Sequence, residues 1–468
     1  MTMATYLGDQ EDTVETLEYL LQISKSMAGR DRLNADEGIL PGLLRRLSSS
    51  PEPLLLPRLL LVRNLCYGDC ANQEVFLSAG GLDRVASALI SQASISLDAV
   101  RTVLQILANF VASDEANKEA VWARFFPLWF NEMSRSRDAA IHNTLCRVLL
   151  ACCTEGEWRR RLSELLEIER GLPILLNIVA TMLRVIQNEA PAPFYFLLGK
   201  ACVQEAYFTI VFQALSSNNF MDIGRCGVNF TEEQIFLLQT LSDCLHTFPR
   251  HLETVSKNFA LGLLKILIEA YRVISDRSLT ESNSKSGPAN KALHFSLLIL
   301  RDMFSWKQSV TATEDPADSF QCEDLVELLL RFLRELEPPI TTDDGKMEAL
   351  LNPKVPLYVN FRKDVVSVIC NYLGGRKQVQ DEIRKKDGIP LLLQQCIVEE
   401  SYYPNLREIA TLTIRNLLED NLANQYEVAQ LELKEPVITP QIAQMGLKVE
   451  IDKDTRRPKL VKEEKAFC

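Results

Sequence analysis

Histidine and cysteine are the side chains of this 468-residue chain that could most readily bind a metal or act as nucleophiles, but neither is spaced for it. The four histidines are His142, His246, His251 and His294. None of them has a second possible ligand at the spacing that metal sites use. The twelve cysteines form no C-x-x-C pair, and Cys66 and Cys370 fall on apolar helical positions, where a thiol packs as a small core residue. The G-x-x-x-x-G-K-S/T and G-x-G-x-x-G phosphate loops and the G-x-S-x-G nucleophile motif do not occur. We therefore expect no enzyme activity, catalytic residue, metal or cofactor.

Charge and hydropathy argue against two further classes of ligand. The formal net charge is −11, whereas nucleic-acid binding needs a concentrated basic face, so we expect no nucleic acid. The densest basic cluster, Arg376-Lys377 with Arg384-Lys385-Lys386, is interpreted as a solvated face. No apolar stretch reaches the about 18 residues that span a bilayer, so we expect no membrane insertion. The acidic first residues lack a signal-peptide pattern, which with twelve cysteines indicates reduced thiols in the cytosol or nucleus. Of these two, we expect a cytoplasmic location.

The strongest candidates for a site are four asparagines, each near the end of an apolar helical run. They are Asn64, Asn109, Asn371 and Asn416. The first two are 45 residues apart, and so are the last two. A row of such amides could hold an extended peptide, since each amide pairs with both N–H and C=O groups. The alternative is that each asparagine only satisfies free carbonyls near a helix end.

A spacing that recurs at this distance indicates helical repeats, because each unit is one supersecondary element. A second polar pair follows two of the asparagines, at Asn72-Gln73 and at Asn424-Gln425. Periodic leucines predict helices throughout, including one that opens at a Thr231 N-cap. We therefore predict an all-α superhelix of about eight or nine irregular repeats. The polar segment 275–290 is predicted to be a loop.

The chain divides into three segments by composition. Residues 1–335 hold the N-terminal and central repeats, 336–361 form a proline-containing loop, and 362–468 hold the C-terminal repeats. Strict alternation over 447–451, then a polar turn and a second short run at 458–461, predicts a small C-terminal β-hairpin.

The sequences Leu-Ala-Asn-Phe at 107–110, Ile-Arg-Asn-Leu at 414–417 and Gly-Ile-Pro-Leu-Leu at 388–392 resemble armadillo repeats. In that family the asparagine lies on the third helix of a unit, and the fold is a right-handed armadillo/HEAT-like α-solenoid. Armadillo import receptors pair this asparagine with a tryptophan four residues earlier. The corresponding residues here are Leu60, Gln105, Ser367 and Leu412.

A more specific resemblance covers 55–133 and 360–462. Asn371 to Cys396, Asn424-Gln425 and the run from Met445 to Ile451 are similar to the ataxin-10 family. The resemblance implies a non-enzymatic protein that binds other proteins, self-associates as a homo-oligomer and acts in cytokinesis or related cytoskeletal and cell-survival pathways. Two alternatives stay open. One is a transport or import-type adaptor that binds extended peptides, and the other is an unrecognised enzyme.

Overall fold

The structure is a computed structural model of the chain. It describes residues 13–36, 38–47, 49–90, 96–185, 191–216, 230–248, 254–275, 283–305, 325–336, 357–396, 404–431, 447–451 and 458–462. The contacts divide the chain into two compact units. Unit 1 contains Met1–Leu325 and Asp344–Val368, and unit 2 contains Val326–Asp343 and Ile369–Cys468. The boundaries predicted at 335 and 361 were drawn from composition, whereas these units are drawn from contacts. The predicted division therefore stays a prediction.

Unit 1 consists of helices. They are α1 (Val14–Ser24), α2 (Met27–Asn34), α3 (Ile39–Leu47), α4 (Glu52–Leu65), α5 (Cys70–Ser78), α6 (Gly81–Ile90), α7 (Leu97–Val111), α8 (Glu115–Phe125), α9 (Leu128–Ser134), α10 (Ala139–Cys152), α11 (Trp158–Leu165), α12 (Leu172–Val185), α13 (Ala192–Leu198), a π-helix (Gly199–Gln204), α14 (Phe208–Ala214), α15 (Glu232–Thr247), α16 (Lys257–Ser275) and α17 (Asn283–Ser305).

Helix α7 shows how the sequence forms these elements. Ser96 is its N-cap and accepts a hydrogen bond from the Ala99 N–H, and Asp98 lies in the first turn, where a carboxylate is favourable. Its apolar side chains recur at helical spacing, and Phe110 is fully buried against Phe76 of α5. Burying a side chain of this size contributes about 1.5–3 kcal/mol, so packing rather than propensity holds the helix in place.

Seven helices of unit 1 stack on one another in order. Helix α1 packs on α4, α4 on α7, α7 on α10, α10 on α13, α13 on α15, and α15 on α17. Shorter helices pack beside this row, as α3 does on α6 and α9 on α12. Each helix therefore contacts mainly its neighbours in the stack, which is the arrangement of a helical repeat array.

Unit 2 begins with helix α18 (Leu325–Glu335), whose first residue belongs to unit 1. Helix α19 (Phe361–Leu373) begins in unit 1 and ends in unit 2. The remaining helices are α20 (Lys377–Lys385), α21 (Gly388–Gln395), α22 (Leu406–Leu418) and α23 (Leu422–Gln430), and these four pack on their sequence neighbours. Asp387 precedes α21 with φ of 54°, and Gly388 follows it against the Ile383 side chain, where a Cβ would lie 2.7 Å from Cγ2. The close approach explains the glycine at this start.

Two short strands follow unit 2's last described helix. Strand β1 (Leu447–Ile451) pairs antiparallel with β2 (Pro458–Lys462), with Leu447 opposite Lys462. Residues 452–457, where the turn of the predicted hairpin falls, lie outside the described residues. Outside these strands the described chain is helical, which confirms the all-α prediction at that level.

Two predictions about individual segments have clear outcomes. The Thr231 N-cap is confirmed, because its hydroxyl accepts from the Gln234 N–H while the Gln234 side chain accepts from the Thr231 N–H. The loop predicted over 275–290 is wrong in its second half, since α17 begins at Asn283 and includes Pro288. Packing of α17 on α15 and α16 outweighs the poor helix propensity of its first turns.

Of the helices described, none has the length and hydropathy to cross a bilayer. Most of the proline-containing loop, 337–356, falls outside the described residues.

Candidate partner-binding surfaces

The asparagines predicted as a binding row lie near the ends of stacked helices, and each is half-buried. In unit 1, Asn109 Nδ2 donates to the Arg63 carbonyl of the preceding helix at 3.4 Å. In unit 2, Asn416 Nδ2 donates to the Cys370 carbonyl of α19 at 3.0 Å. In both cases the acceptor is the residue just before the equivalent asparagine of the previous helix. This explains the 45-residue spacing, because each amide bonds to its neighbour in the stack.

The remaining two asparagines extend this pattern only in part. Asn64 Nδ2 donates to Ser24 Oγ of α1 at 2.8 Å, and its Oδ1 accepts from Arg63 Nη2 at 2.8 Å. The Asn371 carbonyl accepts from Arg376 Nη1 at 3.1 Å. Sequence reasoning left open whether these amides bind partners or satisfy carbonyls. For Asn109 and Asn416 the donor half of each amide is used inside the stack, while the side-chain oxygen bonds to no described residue.

The asparagines of unit 1 belong to a larger polar strip across α4 and α7, which we call the α4–α7 strip. Arg63 Nη1 donates to Gln105 Oε1 at 2.6 Å, and Gln105 stands four residues before Asn109. Gln105 therefore occupies the position where armadillo import receptors have tryptophan. The strip offers hydrogen-bonding groups rather than an aromatic stacking platform.

An ion pair extends this strip toward α10. The Arg101 guanidinium of α7 bonds to Asp138, the N-cap of α10, and also to Asp98 at 2.7 Å. The hydrogen bond from Arg101 holds the pKa of the Asp138 carboxyl below its ordinary value. Its pKa is thus lower in the folded than in the unfolded chain. Its contribution to stability is complete above the unfolded pKa, about 3.9, and is lost as pH falls through the folded pKa.

We predict that Asp138→Asn makes unit 1 less sensitive to acid. Asparagine still caps α10 but cannot form the ion pair, so the variant should be about 1 kcal/mol less stable at pH 7. Below the unfolded pKa of the carboxyl this difference should shrink, because the wild-type residue becomes protonated. Thermal denaturation of both proteins from pH 7 to about pH 3 measures it. A stability difference that stays constant over this range would contradict the ion-pair argument.

A second set of polar residues was not singled out from the sequence as a connected feature. Helices α5, α8, α20 and α23 each begin six residues after a repeated asparagine, and we call them entry helices. Each of the first three has a buried polar side chain at its fourth residue, namely Gln73, Lys118 and Gln380. Gln73 Nε2 donates to the Cys66 carbonyl at 3.0 Å, and Gln380 Nε2 to the Asn416 carbonyl at 2.8 Å. These side chains satisfy carbonyls near the ends of the stacked helices.

Arg161, the fourth residue of α11, is a larger buried polar residue outside the entry helices, with 0% of its surface exposed. Its Nε donates to the Cys152 carbonyl at 2.8 Å, Nη1 to Glu119 at 3.1 Å, and Nη2 to Glu115. A buried guanidinium is tolerated only when its donors are satisfied. Arg161 therefore joins the end of α10 to two carboxylates of α8.

In unit 2 the corresponding network is centred on Asn424, which is also 0% exposed. Its Nδ2 donates to the carbonyls of Leu417 and Gln380, at 3.0 and 3.2 Å, and its Oδ1 accepts from Arg384 Nε at 2.9 Å. Asn421 Nδ2 adds a bond to Gln380 Oε1 at 3.1 Å. The Asn424-Gln425 pair noticed in the sequence is therefore, in its first member, a buried junction between helices.

An apolar pocket of about 310 Å³ lies beside the start of α7. Leu97, Val100, Met133 and Ile141 line it together with Trp129. The charged lining groups, Glu132 and Arg135, pair with each other at 3.1 Å. The pocket could receive an apolar side chain, but its polar groups do not converge on a point where a reaction could occur.

The closest approach to an acid–base cluster is in unit 1. Buried Asp364 accepts from the Tyr358 hydroxyl and contacts His294 Nδ1, both at 2.9 Å. Burial raises the pKa of the Tyr358 hydroxyl well above its ordinary value. His294 is 70 residues from Asp364 in the sequence, so no local pattern predicts the cluster. Within the described part of the chain no group of three His, Cys, Asp or Glu side chains is placed to hold a metal ion.

The C-terminal region matches a known domain. A family model described as the Spinocerebellar ataxia type 10 protein domain matches residues 361–460, which begin with α19 and end in β2. This range contains Asn371, Asn416 and the Asn424 network.

Known proteins resemble the chain over most of its length. Ataxin-10 of Bos taurus is 23% identical over 439 residues, covering 88% of this chain and 82% of that protein. Ataxin-10 of Homo sapiens is 22% identical over 430 residues, with the same two coverages. The ataxin-10 homolog of Debaryomyces hansenii is 26% identical over 163 residues, which is 35% of this chain and only 33% of that protein.

Among solved structures, a designed armadillo repeat protein resembles 63% of this chain and 98% of its own, at 12% identity. Its TM-score is 0.33, which is too low to support a conclusion about fold or function.

Proposed function

Because this chain belongs to the ataxin-10 family, we propose that it is a non-enzymatic scaffold that binds other proteins through the polar groups of its stacked helices. The observation that supports this is that the side-chain amides of Asn109 and Asn416 use their donor but not their acceptor within the stack. Each residue is half-buried, donates into the stack through Nδ2, at 3.4 and 3.0 Å, and keeps an Oδ1 without a bond to a described residue. Such an oxygen can accept from the backbone N–H of an extended segment.

The test is to replace both amides by carboxylates. Asn109→Asp with Asn416→Asp should weaken binding of a partner at least tenfold. The stack carbonyl that accepts from Nδ2 repels a carboxylate, so the carboxylate turns away from the position where Oδ1 would accept from the partner's N–H, and it adds charge to the surface. Loss of the two stack bonds should cost about 1 kcal/mol each, so the chain should stay folded by circular dichroism. Cross-linking mass spectrometry in cells would name the partner, and calorimetric titration of purified proteins would give its affinity.

The matched control adds the same two charges elsewhere. Gln213→Glu on α14 with Gln394→Glu on α21 changes exposed amides outside the predicted row. This variant should bind like the wild type. If the asparagine variant bound equally well but melted earlier, the amides would serve only the stack, and this proposal would fail.

The finer features of the proposal come from the family resemblance. We propose an armadillo-type, right-handed solenoid that acts in the cytoplasm, in cytokinesis or a related cytoskeletal or cell-survival pathway. We also propose that copies of the chain self-associate, without nucleic acid or membrane insertion. Light scattering on the purified protein tests self-association, and depletion followed by scoring of binucleate cells tests the role in cytokinesis.

A further inference from the structure

The last described helix, α23, departs from the other entry helices at two positions. Its first and fifth residues are Leu422 and Tyr426, which are 80% and 68% exposed. The first residues of α5, α8 and α20 are Cys70, Glu115 and Lys377, and the fifth residues are Glu74, Glu119 and Asp381. The fifth position is therefore acidic in three entry helices and aromatic in the fourth. Leu422 and Tyr426 are one helical turn apart and form an apolar pair, which we call the α23 face.

Contacts in the other entry helices show what these positions face. Glu119, the fifth residue of α8, accepts from Arg160 at 2.5 Å and from Arg161 at 3.1 Å, both on helix α11. Asp381, the fifth residue of α20, accepts from Asn421 Nδ2 at 3.0 Å, directly before α23. The fifth position thus points toward the helix that stacks next, and the first position of α8 does so as well, because Glu115 bonds to Arg161. By the same register, the α23 face points to the place where a further helix would stack.

Within the segment that carries the α23 face, the charged side chains are all acidic. Between residues 419 and 427 the only charged side chains are Glu419, Asp420 and Glu427. None of them forms an ion pair with a described residue. Two copies of this face docked symmetrically would bring these carboxylates opposite each other, which is unfavourable. A positively charged partner would meet complementary charge.

We propose that the α23 face binds an amphipathic helix of a partner protein. The helix would present two apolar side chains four residues apart to Leu422 and Tyr426, with Lys or Arg beside them to meet the acidic groups. The two arginines that α11 presents to α8 are an example of this chemistry within the chain. This inference rests on the proposed scaffold function, and it identifies a surface separate from the asparagine row.

The test uses the full chain and a labelled synthetic peptide of about 16 residues, long enough for a helix to form on binding. The peptide has two leucines four residues apart, flanked by arginines, and fluorescence anisotropy measures its affinity. Leu422→Gln with Tyr426→Gln gives α23 the polar character of the other entry helices and should weaken binding at least tenfold. The matched control Leu128→Gln, at an equally exposed leucine on α9, should leave the affinity unchanged.

A second variant tests the charge argument without touching the apolar pair. Glu419→Lys with Glu427→Lys should reverse the preference, so that a peptide with glutamates in place of the arginines binds more tightly. The proposal is overturned if the double glutamine variant binds the peptide as the wild type does. It is also overturned if that variant turns an oligomer into a monomer in light scattering, because a second copy then occupies the face. Neither result bears on the asparagine variants, which report on the scaffold function at other residues.

Discussion

Arg161→Met should lower the free energy of unfolding in this part of unit 1 by about 3–5 kcal/mol, the largest effect we expect from a single substitution. The guanidinium is fully buried and satisfies the Cys152 carbonyl while holding Glu115 and Glu119. Methionine fills a similar volume but donates no hydrogen bond. The buried carbonyl would then lack a partner, and the link between α10, α8 and α11 would be lost.

Hydrogen exchange of the amides in α8, α10 and α11 measures this effect locally, which suits a chain with more than one unit. The matched control is Arg147→Met, because Arg147 is an exposed arginine on α10. That variant should change stability by no more than about 0.5 kcal/mol. Equal exchange in the two variants would mean that the Arg161 network contributes nothing to the stack.

Asn424→Leu should release α23 from unit 2. Asn424 is the only residue of this helix that is fully enclosed, and it bonds to two carbonyls and to Arg384 Nε. Leucine would remove all three hydrogen bonds, at a cost of about 2–4 kcal/mol. Few apolar contacts hold α23, since Val428 is only half-buried where the equivalent Phe76, Val121 and Ile383 are fully buried. We therefore expect local unfolding rather than loss of the whole unit.

Exchange of the amides from 421 to 430 should become fast in this variant, while α19 and α20 keep most of their protection. Gln430→Leu is the control, because it changes an exposed amide of the same helix. The Asn424 variant should also lose affinity for the basic peptide, since the α23 face exists only on the folded helix. Full protection of α23 in Asn424→Leu would show that other contacts hold it.

Local features of this protein could be predicted from the sequence because they depend on near neighbours. The helical spacing of apolar residues and the Thr231 cap follow from a few adjacent side chains, and both occur in the structure. The 45-residue spacing indicated a repeated unit, and the bonds of Asn109 and Asn416 give that spacing a physical cause. The start of α17 at Asn283 could not be predicted, because packing on α15 and α16 outweighs a polar, proline-containing segment.

Only the tertiary structure decided which polar residues bond to one another. Asn109 and Asn416 looked alike as free amides in the sequence, but their donors are used by carbonyls 46 residues earlier in the chain. Arg161 and Glu115 are likewise 46 residues apart, and nothing in either local segment marks them as a pair. By residue type, Leu422 and Tyr426 would be expected in the core, yet no described neighbouring helix covers them and both are exposed. Periodicity reports which side of a helix is apolar, whereas the neighbour that covers that side, or leaves it open, is set by contacts between distant segments.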